Sequence, residues 1–190
     1  MRLLNTITHK LEEFGGIKTP LYAILSHTWE ENEITFQDIQ SADVENRVGY
    51  EKVEKTCSVA AAHGFNYIWI DTCCIDKTSS AELSEAINSM YDWYGGAAVC
   101  YAYLDDVSLD TLDPRTQVEE SEFSRSRWFT RGWTLQELLS PLIIIFLDEE
   151  WQEIGTKLSL VTEISGITGI PASILLGENL KSTSIAQRMS

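Results

Sequence analysis

The chain has 190 residues, an apolar fraction of 44% and six tryptophans, enough for one globular domain with a substantial core, since chains of this size bury roughly 70% of their unfolded surface. Its 29 acidic and 14 basic side chains give a formal net charge of -15, which excludes a general phosphate-backbone binder and requires any anionic ligand to be met by local donors. Cys57, Cys73, Cys74 and Cys100 fall in apolar stretches without Cys-x-x-Cys spacing, so they read as buried thiols in a reducing cytosol rather than as a disulfide framework or a zinc site.

At the N-terminus, residues 2–4 and 10–14 form two short extended pieces, a small hairpin within residues 1–20, with no signal-peptide pattern. Residues 22–26 (YAILS) are a continuous apolar run of the kind that makes a strand buried on both faces, ending at Ser26, His27, Thr28 and Trp29. A helix is predicted over 50–63, with Val53, Cys57 and Ala60 or Ala61 inward and Gly64 as its stop. A second buried strand, 66–70 (NYIWI), ends at Asp71 and Thr72. Ser79 or Ser80 caps the next helix, 81–94, whose inner stripe is Leu83, Ile87, Met90, Tyr91 and Tyr94, and Gly95-Gly96 closes it before a third strand at 97–104.

The acidic stretch 105–123 has little periodicity and reads as a solvated loop, with no metal-ligand spacing. The segment 124–141, SRSRWFTRGWTLQELLSP, follows it and interleaves Trp128, Phe129 and Trp133 with Arg125, Arg127 and Arg131. From Thr134 the pattern is helical, with Leu135, Leu138 and Leu139 toward the core and Glu137 one turn after Trp133. Thr134 and Glu137 also match a capping box, and from this segment alone that is the simpler reading of the glutamate. A fourth strand is predicted at 142–147, with Trp151 packing back on the core, a helix at 155–164 and a short one from Pro171 to Leu176.

This alternation predicts an α/β fold: a parallel sheet flanked by helices, with an N-terminal β-hairpin (1–20), a core (21–154) and a C-terminal helical extension (155–190). Ligands of such sheets gather at the carboxyl ends of the strands. Ser26 and His27, Asp71 and Thr72, Asp105 and Asp106, and Glu137 therefore converge on one rim. Trp29 and Trp133 offer stacking faces, and Arg127 and Arg131 offer donors for a diphosphate, each weighed against a purely structural role.

Four ordered blocks carry a resemblance: YAILSHTW at 22–29, WIDTCCIDK at 69–77, YAYLDDV at 101–107 and SRWFTRGWTLQELL at 126–139. They resemble the HET domain of fungal heterokaryon incompatibility proteins, with Gly95 standing where the family often has an arginine. HET domains are in turn distantly similar to TIR domains, which share a flavodoxin-like order of elements. In TIR enzymes that cleave NAD, a segment similar to Trp133–Leu138 carries the catalytic glutamate, so the resemblance implies a catalytic role for Glu137 and turns the preference away from the cap. It further implies NAD as substrate, with no metal or resident cofactor, and a ligand site drawn from Ser26, His27, Trp29, Asp71, Arg127, Arg131 and Trp133. A cytoplasmic cell-death effector triggered after non-self recognition by an upstream protein, and active on self-assembly, is the expected function. The alternative is a non-catalytic assembly module of the same pathway, without nucleic-acid partner or membrane span.

Overall fold

The computed structural model describes residues 1–15, 19–109 and 121–177. The chain order is β1 (Arg2–Asn5), β2 (Leu11–Glu13), β3 (Ala23–His27), α1 (Tyr50–Ala62), β4 (Tyr67–Trp69), α2 (Asp71–Cys74), α3 (Ser80–Gly96), β5 (Val99–Tyr103), α4 (Glu122–Arg125), α5 (Thr134–Leu139), β6 (Ile144–Leu147), β7 (Glu153–Thr156), α6 (Val161–Thr168) and α7 (Ala172–Leu175). The strands form one seven-stranded sheet in the order β2-β1-β4-β3-β5-β6-β7. Its centre, β4-β3-β5-β6, is parallel and has the flavodoxin-like order, while both flanks are antiparallel.

The register explains the layering. Ile24 pairs with both Trp69 and Cys100, and Cys100 with Ile144, so these four side chains form a row on one face. That face is covered by α3, whose Trp93 and Tyr94 meet the Trp69 ring edge-on. Two residues beyond Ile24, the same face carries Ser26. The opposite face carries Tyr101, whose hydroxyl lies 2.6 Å from Nδ1 of His63 at the end of α1. All four cysteines are buried free thiols.

The expected N-terminal hairpin forms from β1 and β2, and it joins the main sheet because β1 also pairs with β4 through Leu4 and Asn5. Other expectations need correction. The helix expected at 155–164 begins six residues later: Glu153–Thr156 is a strand, β7, pairing with β6, and only Val161–Thr168 is helical. On α3 the buried stripe is Ala86, Met90 and Tyr94, while Ile87 and Tyr91 are exposed. Leu135 on α5, and Leu142 and Ile143 ahead of β6, are exposed as well. Trp151 does return to the core, stacking on Tyr103 with ring centroids 4.2 Å apart. Within the acidic stretch, residues 110–120 lie outside the described residues, as do 16–18 of the hairpin region and 178–190 of the C-terminal extension. No helix among the described residues is long and apolar enough to cross a membrane.

Candidate functional site

The segment before α5 is a helical turn, Arg127–Thr130, which buries Trp128 completely. The Trp128 ring lies edge-on to Phe146 of β6, and this anchors the segment to the sheet. Its indole Nε1–H donates to Ser26 Oγ at 2.7 Å. An indole nitrogen only donates, so the Ser26 hydroxyl accepts there and directs its own proton to Glu137 Oε2, 2.5 Å away.

Glu137 is 2% exposed and does not complete a capping box. Trp133 precedes the helix without a side-chain cap, and Thr134 Oγ1 donates to the Trp128 carbonyl instead. Both carboxylate oxygens face Arg131, whose Nη1 and Nη2 donate to Oε2 and Oε1 at 2.9 Å each. Such a two-pronged contact is the strongest geometry available to a carboxylate and a guanidinium.

Glu137 and Arg131 line a cleft of about 410 Å³ at the carboxyl ends of β3 and β4, in the size range of small-molecule sites. Thr28, Trp29, Asp71 and Lys77 border it on the sheet side, and Gly132 and Trp133 on the α5 side. Ile75, Leu83, Ala86, Ile87 and Met90 form its apolar wall. Trp29 and Trp133, 56% and 42% exposed, both stand at this cleft. Asp71 gathers three donors or cations: Trp29 Nε1 at 2.9 Å, His27 Nε2 at 3.1 Å and Lys77 Nζ at 3.7 Å. Lys77 also lies 3.6 Å from the Trp29 ring centroid, a cation over an aromatic face. Burial pushes the Asp71 carboxyl up, but the hydrogen bond from His27 and the charges of His27, Lys77 and Arg131 outweigh it and hold its pKa below the ordinary value.

Of the residues singled out from sequence, Glu137, Arg131, Trp133, Trp29 and Asp71 line this cleft. Ser26 reaches it through Glu137, and His27, 1% exposed at its side chain, through Asp71. Arg127 does not join them. It is 60% exposed, pairs with Asp105 and Asp106, and thereby pins the Arg127–Thr130 turn to the end of β5. The same pairing takes Asp105 and Asp106 out of the cleft lining. Gly95 is also outside it: a Cβ there would lie 2.8 Å from Ser140 Oγ, so the glycine serves the approach of α3 to the end of α5. The sequence reading missed Lys77, although it closes the block WIDTCCIDK, and missed the apolar wall supplied by α3. Among the described residues no group of three or more His, Cys, Asp or Glu is placed to hold a metal ion.

Fold and site together define a flavodoxin-like α/β protein with a carboxylate and a guanidinium set in a cleft at the carboxyl ends of two central strands. The family described as "Heterokaryon incompatibility protein (HET)" matches residues 22–124. Vegetative incompatibility protein HET-E-1 of Podospora anserina is 44% identical over 176 residues, a match that covers 91% of this chain and 13% of that protein. The chain belongs to the HET family of heterokaryon incompatibility proteins. It spans only about an eighth of the length of the curated relative it matches. No solved structure matches the chain significantly.

Proposed function

We propose that this HET domain cleaves NAD at the nicotinamide–ribose bond and acts in the cytoplasm as a cell-death effector of heterokaryon incompatibility, activated by self-assembly. The observation that carries the reading is a buried carboxylate, Glu137, lining a cleft of small-molecule size beside two exposed tryptophans. One carboxylate suffices for this reaction. The leaving group is already a pyridinium, so the C–N electron pair returns to its nitrogen and nicotinamide departs neutral, without a general acid. The ribosyl centre left behind is cationic, and Glu137, fixed by Ser26, stabilises it through charge. Water then adds at that carbon and releases one proton, giving ADP-ribose.

In the proposed complex Trp29 or Trp133 stacks on a ring of the ligand, and Arg131 and Lys77 meet its diphosphate. The test is nicotinamide release by the assembled protein and by its Glu137→Gln variant. Wild type is expected to release nicotinamide and the variant to be at least about a hundredfold slower, the scale of losing a dominant electrostatic contact. Equal release from both rejects the assignment.

A second reading is favoured by one observation: Ile87 and Tyr91 on α3 and Leu135 on α5 are exposed apolar side chains on neighbouring helices. They suit a homotypic contact surface, and a silent assembly module needs no more. That reading expects Glu137→Gln to leave cell killing intact.

A further inference from the structure

The charges of the cleft are balanced in pairs. Its four charged lining residues are two acids and two bases, with Glu137 held by Arg131 and Asp71 by Lys77. The pairs are unequal. Arg131 grips Glu137 through two 2.9 Å hydrogen bonds, whereas Lys77 lies 3.7 Å from Asp71 and is 32% exposed. As the structure stands, Glu137 is neutralised by its neighbour and is not free to face a cation.

A buried ion deprived of its partner is costly, so a ligand that draws Glu137 to itself must offer Arg131 something in return. A pyridinium nucleoside brings only the positive charge. It would have to displace a bidentate guanidinium and leave that guanidinium without a hydrogen-bonded anion. A diphosphate changes the balance, because the planar fork of an arginine grips two phosphate oxygens as well as two carboxylate oxygens. A ligand that carries a pyridinium and a diphosphate together therefore exchanges partners with the Arg131–Glu137 pair and strands no charge.

We propose that Arg131 is a specificity-determining residue that makes the diphosphate a requirement, so that the site takes a pyridinium dinucleotide and rejects the same pyridinium presented as a nucleoside. This rests on the NAD-cleaving reading. It also accounts for product release: once nicotinamide has left, ADP-ribose is purely anionic, and Glu137 competes with its diphosphate for Arg131.

The experiment measures binding of three probes, NAD, nicotinamide riboside and ADP-ribose, by calorimetry, with nicotinamide release from NAD and from the riboside followed in parallel. Wild type is expected to bind NAD at least tenfold more tightly than either other probe. Arg131→Gln removes the advantage of NAD over the riboside, and Arg131→Lys, which keeps the charge, retains part of it. A riboside bound or cleaved as well as NAD by wild type overturns the proposal, as does a full NAD preference in Arg131→Gln. The wild-type comparison decides even if the glutamine variant does not fold. The NAD preference without nicotinamide release supports the binding specificity and contradicts the hydrolase reading, whereas no NAD binding at all contradicts both.

Discussion

The position of one carboxylate is set by a chain of three side chains drawn from two distant parts of the sequence. Trp128 fixes the Ser26 hydroxyl, and the hydroxyl in turn fixes Glu137 Oε2. A hydrogen bond to a charged group is worth about 2 kcal/mol. Ser26→Ala is accordingly expected to slow nicotinamide release by roughly 30-fold, the equivalent of that energy in rate. Trp128→Phe, which keeps a buried ring but removes the N–H, is expected to act in the same direction. Steady-state rates beside unfolding midpoints check this, and unchanged rates in both variants would show that the chain of donors is structural only. Asp71 gives a pH prediction. Its folded pKa is lowered, so its stabilising contribution is complete above about pH 4, its unfolded range, and is lost as pH falls through the lower folded value. Urea unfolding between pH 7 and 3 should therefore show a steeper acid loss in wild type than in Asp71→Asn, and identical slopes would contradict it. Sequence located Ser26, Asp71 and Glu137 because strand ends share a rim in a parallel sheet. It did not separate Arg127 from Arg131: four residues apart, one turns to Asp105 and Asp106 and the other to Glu137, and only the fold of the intervening turn decides between them.

At the level of elements, short pieces that depend on distant partners are the ones the sequence left unread. Residues 153–160 alternate only weakly, with Ile154, Leu158 and Leu160 interrupted by Gly155 and Thr156, and β7 forms where β6 offers it an antiparallel edge. By contrast, β3, α1, β4, α3 and β5 announce themselves through continuous apolar runs or helical spacing within each segment. The start of α1 rests on a device of the same non-local kind. Gly49 has φ +92, and a Cβ there would come within 1.8 Å of the Asn32 carbonyl oxygen. Gly49→Ala is expected to destabilise the fold by about 3 kcal/mol or more, through left-handed strain and a backbone clash together. Denaturant unfolding checks this, and a loss below about 1 kcal/mol would mean that the 30–49 connection yields freely.

Across the whole molecule, the flavodoxin-like order is what brings the strand ends, α3 and α5 around one cleft, and in a chain of net charge -15 the two acids lining that cleft are matched by two local cations. Most of the apolar wall comes from α3, where helical spacing fixes which side chains share a face but not what covers them, and Ile87 lines the cleft with much of its surface exposed. Fold class and rim were thus legible in the pattern of elements, whereas a helix face that walls a cleft reads the same in sequence as one that packs on core. The most direct measurement is the NAD content and survival of cells expressing the assembled wild-type protein or an equal amount of its Glu137→Gln variant. Wild type is predicted to deplete NAD before the cells die and the variant to do neither; a Glu137→Gln protein that kills with NAD undiminished would contradict the account.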